Sequence, residues 1–290
     1  MIYEDLLISN SNIDNNYKNE LETNQFKQTT ALLYYFMGKY DENWSHFEED
    51  LAKIPLKEFV SNFQTSNLSA NKKLEPILGS PIKKEVDILT KVFSKIPKLF
   101  AKWIASLSKK DINKGPGPFE NKIIKDINKD DIFIIFNYTK TLENNLNIRD
   151  TSNMFHIHGI FENEKSIIVG HNCKEKSKFT NLCDEEEYIE DVYATLYKNP
   201  EKVIKRNSLL WNKLTNLTDV DIYEFGWSCS GVDADYIKKI VSCLNSKNVH
   251  LYLNNFDNQG EFKKKQWVKL GMNENKISFY IEENENIIFD

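Results

Sequence analysis

The chain has 290 residues, 40% of them apolar and 28% charged, a composition typical of a folded protein with a substantial core. No stretch approaches the roughly 18 consecutive apolar residues of a membrane-spanning helix, so we expect no membrane insertion. The first residues are acidic where a signal peptide is basic, and no apolar segment follows them. We therefore expect the protein in the cytoplasm.

Charge and cysteine content argue against a sequence-specific DNA-binding protein and against a disulfide-stabilised one. The net charge is −5, and only Arg149 and Arg206 are arginines. Bidentate recognition of bases depends largely on arginine, so we expect no sequence-specific DNA binding. The cysteines form no C-x-x-C pair, which predicts free thiols in or near a core rather than a disulfide framework. They are Cys173, Cys183, Cys229 and Cys243.

The first part of the chain carries helical periodicity. Apolar side chains recur at helical spacing over three stretches, residues 26–40, 44–54 and 82–107. Pro97 should kink or split the third helix near Ile96, because proline cannot donate the helical hydrogen bond. A Gly-Pro-Gly-Pro loop at residues 115–118 ends the region. We predict a helical insertion over residues 26–118, within an α/β core of residues 1–25 and 119–290.

Beyond residue 118, short apolar segments alternate with helical ones. Strands are predicted at residues 131–136, 154–158, 166–169, 221–225, 249–253 and 277–281. Helices are predicted at residues 139–146, 184–197, 233–244 and 262–270. This alternation favours a Rossmann-like α/β fold, with a parallel sheet and helices on both faces.

Three turns follow predicted strands at the edge where parallel sheets bind ligands. They are residues 136–139, 156–159 and 226–231. If the three strands are parallel neighbours, the turns converge on one crevice.

The first two turns carry candidate catalytic groups. Asn137 offers a donor and an acceptor, suited to orient a water or a ribose hydroxyl. His158 is suited to act as a general base near neutral pH, and the glycine after it lets a ligand approach the backbone. An asparagine here is also a common turn former, and an α/β domain without catalysis stays an alternative.

Metal binding is the weaker interpretation of the histidines. His156 and His158 share one face of a strand, and His171 or Cys173 would supply a third ligand. The spacing lacks the tight pattern of a metal site, so we predict none.

The third turn predicts phosphate binding. Glycines with Ser228 and Ser230 can direct backbone N–H groups and hydroxyls at a phosphate. Asp233 and Asp235 suit either ribose hydroxyls or the start of the following helix, and the capping role is favoured.

Five segments in order carry a family resemblance. They are residues 43–48, 136–143, 156–159, 168–172 and 225–236, or NWSHFE, FNYTKTLE, HIHG, IVGHN and FGWSCSGVDADY. Their order and spacing resemble the AbiH family of bacterial abortive-infection proteins. The asparagine turn and the histidine-glycine step also resemble, more remotely, the SIR2-like superfamily, in which such residues flank an NAD site.

The resemblance implies roles for individual residues. Asn137 would position the water or ribose, and His158 would act as the base. Residues expected to contact a nucleotide are Asn10, Asp14, Tyr138, His156, Gly226, Ser228, Ser230 and Asp233.

Two departures from the AbiH pattern affect this expectation. The family's N-terminal Gly-Asn-Gly-Phe-Asp loop corresponds here to residues 9–14, which keep Asn10 and Asp14 but replace both glycines by serine. Serine predicts an altered phosphate pocket, because glycine permits φ > 0 and close backbone approach. Trp227 stands where the family usually has histidine.

The resemblance implies an anti-phage effector with a nucleotide-binding crevice. Its reaction would be hydrolysis of the N-glycosidic bond of NAD, with NAD or another nucleotide as ligand. The alternative is a non-catalytic nucleotide sensor or assembly subunit of a phage-defence system. Expected partners are further copies of the chain or a protein of the same defence system.

Overall fold

The fold is described from a computed structural model. It describes residues 48, 51, 87, 90, 91, 93–111, 128, 130–146, 150–172, 185–227, 231–245, 247–255, 258–283 and 286–289. These residues form a mixed α/β protein with small parallel sheets and helices. The chain divides into two compact units, one of residues 1–106 and 167–198 and one of residues 107–166 and 199–290.

In the first unit, the long helix α1 spans Ile96–Asp111 and continues past residue 106. Turn residues Ser94 and Lys95 precede it, which is the break that Pro97 predicts near Ile96. Helix α3 spans Glu185–Leu196 in the same unit.

A buried ion pair links distant segments of the first unit. Lys198 Nζ lies 2.6 Å from Glu48 Oε2, and the other Glu48 oxygen accepts the Gly170 N–H. The Lys198 side chain is fully buried. The pair therefore satisfies a buried charge, which would be costly if it were left alone.

The second unit begins with a parallel pair of strands. β1 spans Phe133–Ile135 and pairs with β2, Met154–His156, in parallel register. Helix α2, Thr141–Leu146, follows the turn after β1. A 3₁₀ turn at Glu164–Ser166 follows the turn after β2.

A four-stranded sheet forms the rest of this unit. Its order is β3, β4, β5, β6, with bounds Asp219–Glu224, Asn248–Asn254, Ile277–Glu283 and Asn286–Phe289. β3, β4 and β5 are parallel, and β6 is antiparallel to β5. Helices α6, Ala234–Leu244, and α7, Gly260–Lys269, connect the parallel strands.

Side-chain periodicity explains how this sheet and its helices form a core. Val249, Leu251 and Leu253 alternate along β4 and are buried, as period-two patterning requires. On α6, Tyr236 and Ile240 are buried one turn apart. Each such apolar side chain contributes about 1.5–3 kcal/mol when it is fully buried.

The sequence missed two helices and one strand. Helices α4, Pro200–Arg206, and α5, Ser208–Thr215, precede β3 and contact α6. Their signals were Asn199 as cap, Pro200 at the first helical position, and the buried Leu210, Trp211 and Leu214. β6 was also missed.

Two expectations about the sheet were wrong. Residues 166–169 form no strand, because Ser166 closes the 3₁₀ turn by donating its hydroxyl to Asn163 O. Nor do all predicted strands share one sheet: β1 and β2 form one sheet, and β3 belongs to another.

Several sequence predictions fall outside the described residues. They concern most of residues 26–40 and 44–54, together with Asn10, Asp14, Cys173, Cys183, Ser228, Cys229 and Ser230. The insertion proposed for residues 26–118 therefore stays a prediction. Cys243 is a free, buried cysteine, as predicted. Among the helices that the structure describes, none is long and apolar enough to cross a membrane.

Candidate functional site

The candidate site lies at the carboxyl edge of β1 and β2. Ile157 donates its N–H to Ile135 O at 2.9 Å, which extends the parallel pairing beyond His156. Phe161 N donates to Tyr138 O at 3.0 Å. The turn after β1 and the turn after β2 are therefore held side by side.

His158 is at the centre of this arrangement. Its side chain is 2% exposed, and its Nε2 atom lies 3.2 Å from Asp233 Oδ1. Its ring contacts the rings of Phe136, Tyr138 and Tyr236, with centroid separations of 5.5–5.7 Å. The imidazole is thus enclosed by aromatic rings and faces a carboxylate that is itself 11% exposed.

Two of the three predicted turns, and the residues just after the third, contribute to this contact. Phe136 and Tyr138 come from the first turn and His158 from the second, whereas Asp233 lies two residues beyond the third, in the 3₁₀ turn Gly231–Asp233. They meet although β3 belongs to a different sheet from β1 and β2. The convergence therefore depends on the segment between β3 and α6, and not on one continuous sheet.

The side chain of Asp233 does not cap the helix, which was the role that the sequence favoured. The residue occupies the N-cap position of α6, but its side chain makes no capping hydrogen bond. It faces the His158 ring instead. An acidic residue before a helix predicted a cap, and the sequence held no signal for a partner 75 positions away.

Gly159 is required by packing and not by ligand access. Its φ is +81°, and a Cβ atom there would lie 2.2 Å from the main-chain oxygen of Ser166. The Ser166 hydroxyl also accepts the Ile160 N–H at 3.1 Å. The 3₁₀ turn thus fills the space that the sequence interpretation reserved for a ligand.

Asn137 lies at the exposed rim. Its side-chain oxygen accepts the N–H of the next residue, Tyr138, at 2.7 Å. Its carbonyl oxygen lies 3.2 Å from His156 Nδ1. Tyr138 is buried, with 7% exposure.

Glu143 is the functional candidate that site reasoning missed. Its Oε1 atom lies 2.6 Å from His156 Nε2, so α2 is tied to the end of β2. Glu143 is 7% exposed. Its only signal in the sequence was its place at the end of the resembling segment 136–143.

A second buried ion pair, between Glu224 and Lys263, lies at the start of the third turn. Gly226 has φ +69°, and a Cβ atom there would meet nothing within 4 Å. Glu224 accepts the Trp227 N–H at 2.7 Å and lies 3.6 Å from Lys263 Nζ. Trp227 packs edge-to-face on Trp267. This pair anchors the start of the segment whose far end carries Asp233.

No metal site is found in the parts of the chain that are described, since no three His, Cys, Asp or Glu side chains there could hold an ion. His171, one of the two residues considered as a third ligand, belongs to the first unit. It is buried there against the rings of Tyr193 and Tyr197.

The fold and site define a mixed α/β protein whose strand-end turns enclose a histidine paired with a carboxylate. Residues 11–255 match the family described as bacteriophage abortive infection AbiH. The match spans most of the chain, so the chain belongs to the AbiH family, and membership implies a role in phage abortive infection. No curated protein and no solved structure gives a significant match.

Proposed function

We propose that this chain is an abortive-infection effector that binds a nucleotide at the carboxyl edge of β1 and β2. Its proposed reaction is hydrolysis of the nicotinamide–ribose bond of NAD. The observation that carries the proposal is that the turns after β1 and β2 and the start of α6 converge on His158. Strand-end turns of parallel pairs are the usual ligand sites of α/β proteins.

The finer fold assignment, a Rossmann-like and SIR2-like arrangement, belongs to the same proposal. It is supported by the parallel order of β3, β4 and β5 and by the helices α6 and α7 that connect them. It is also supported by the resemblance of the asparagine turn and the histidine-glycine step.

The reaction would proceed by attack of water on the anomeric carbon. The new C–O bond forms as the bond to nicotinamide breaks, and the electron pair leaves with nicotinamide. Asn137, at the exposed rim, would orient the water or ribose, and His158 would take the proton from water. Asp233 would stabilise the resulting imidazolium. Since the His158 side chain is 2% exposed, ligand binding must displace part of the ring cluster around it.

Nicotinamide release by the purified chain tests this proposal. We expect His158→Gln to lower the rate at least about 100-fold, the typical contribution of a general base. His250→Gln is the matched control, because His250 contacts Ser278 on the four-stranded sheet and is a histidine of similar type outside the site. Equal rates for wild type and His158→Gln would remove His158 from the mechanism.

The second candidate is a non-catalytic nucleotide sensor or an assembly subunit. Burial of His158, the local hydrogen bond of the Asn137 side chain and packing of Trp227 on Trp267 all favour it. Nucleotide binding without nicotinamide release would support this candidate. A partner would be a second copy of the chain or another protein of the defence system.

A further inference from the structure

A buried carboxylate oxygen lies at the carboxyl edge of β1 and β2. Only 8% of the Glu143 side chain is exposed. Its Oε1 atom binds His156, whereas its Oε2 atom is buried without a hydrogen-bond partner in the portion of the chain that the structure describes. Such an oxygen is costly, because it has lost its hydrogen bonds to water and gained none in return.

His156 determines where this oxygen lies. Its Nδ1 atom is 3.2 Å from the carbonyl oxygen of Asn137, and its Nε2 atom is 2.6 Å from Glu143 Oε1. The ring therefore joins α2 to the turn after β1. Both ring nitrogens lie against oxygen atoms of the protein, so neither is left for a ligand. Within this pair, Glu143 Oε2 is the acceptor that remains for a ligand.

The surroundings indicate what kind of ligand group fits. Asn137 is exposed, and 13% of the His156 side chain is exposed, so the pair of His156 and Glu143 lies close to the rim. A carboxylate oxygen accepts hydrogen bonds and cannot donate one when it is ionised. The complementary group is a donor, and charge-assisted O–H···O⁻ bonds are among the stronger ones in proteins.

We propose that Glu143 Oε2 accepts a hydrogen bond from a hydroxyl group when ligand binds at this edge. The inference rests on the proposed function, which supplies two hydroxyl sources, a ribose hydroxyl and the attacking water. Glu143 then determines either which nucleotide binds or where the water is held. His156 acts as a positioning residue, because it holds Glu143 and the Asn137 turn together.

The test compares wild type with Glu143→Gln in the full chain. Glutamine keeps an oxygen for His156 and replaces Oε2 by an amide that donates, so the acceptor is lost while the shape is kept. Glu162→Gln is the matched control, because that carboxylate is 40% exposed and pairs with Lys140. The probes are NAD and its analogues that lack the 2′- or the 3′-hydroxyl of the nicotinamide ribose.

The two hydroxyl sources give different results. If a ribose hydroxyl is the donor, Glu143→Gln weakens NAD binding at least about tenfold and leaves the affinity of the analogue lacking that hydroxyl unchanged. If water is the donor, NAD affinity is unchanged, whereas kcat falls at least about tenfold. Equal changes in the affinity of NAD and of both analogues would indicate a purely structural role for Glu143 and would overturn the inference.

The inference is overturned if wild type binds or hydrolyses NAD and Glu143→Gln does so with equal Kd and kcat. If wild type neither binds nor hydrolyses NAD, the proposed function fails and this inference fails with it. Glu143→Asp is measured in parallel in case the glutamine variant does not fold, as judged by its melting temperature. It keeps the charge beside His156 but withdraws the carboxylate, and the same direction of change is expected.

Discussion

Gly159 shows at the residue scale why a histidine-glycine step need not indicate ligand access. The sequence interpretation assigned the glycine to close approach of a ligand, whereas the structure places Ser166 O at 2.2 Å from the position of a Cβ atom. A single sequence shows that glycine occupies a position, but not whether a ligand or a neighbouring segment requires it. The partner is the 3₁₀ turn at Glu164–Ser166, whose last residue is the first of the strand predicted at residues 166–169.

We predict that Gly159→Ala destabilises the protein by about 3 kcal/mol, because strain at positive φ adds to a clash with main-chain atoms. Gly226→Ala is the control, since its φ is +69° but nothing lies within 4 Å of the new Cβ. It should cost about 1 kcal/mol, from backbone strain alone. Urea unfolding of the two variants gives both values, and equal losses would contradict the packing role of Ser166.

The carboxylate partner of His158 gives a second prediction at this scale. Asp233→Asn leaves the buried imidazole facing a neutral amide, and we expect a loss of about 1–3 kcal/mol in the free energy of unfolding. Asp235→Asn is the control. That side chain is 38% exposed and pairs with Lys238, so its replacement should cost less than about 0.5 kcal/mol. An Asp233 variant as stable as the Asp235 variant would mean that the His158 contact contributes nothing.

At the scale of elements, the positions of the strands were predicted better than the pairing between them. Apolar runs at residues 131–136 and 249–253 indicated β1 and β4 because a buried strand needs such runs. Sequence spacing does not encode which strands pair, so the separation of β1 and β2 from the larger sheet was not predictable. Helix α5 was missed although its buried residues recur at helical spacing.

In the candidate site, too, residues that directly follow a strand were predicted, whereas a contact that depends on strand pairing was not. Asn137 and His158 were found because they follow strands. Glu143 was missed because it lies on a helix, four residues beyond the turn. Its contact with His156 depends on the register of β1 against β2, which the sequence does not specify.

The buried ion pair between Glu224 of β3 and Lys263 of α7 gives a prediction about how these two elements are held together. Lys263→Met leaves the Glu224 carboxylate buried without its cation, and we expect a loss of about 3–5 kcal/mol in unfolding free energy. Lys264→Met is the neighbouring control. Its ion pair with Glu274 is more exposed and should contribute less than about 1 kcal/mol. Equal denaturation midpoints for the two variants would contradict the anchoring of β3 to α7.

At the scale of the whole molecule, family membership and site geometry support the account independently. The family match covers residues 11–255 and implies a role in abortive infection, without identifying a ligand. The geometry brings two strand-end turns and the start of α6 to His158, without identifying a reaction. Together they lead to one claim, that protection against phage depends on the His158 site.

Plaque formation on cells that express the chain tests this claim most directly. Wild type, His158→Gln and His250→Gln are compared at matched levels of folded protein, with intracellular NAD measured after infection. We predict that His250→Gln protects like wild type, whereas His158→Gln loses protection and no longer lowers NAD. Full protection by a folded His158→Gln variant would contradict the claim.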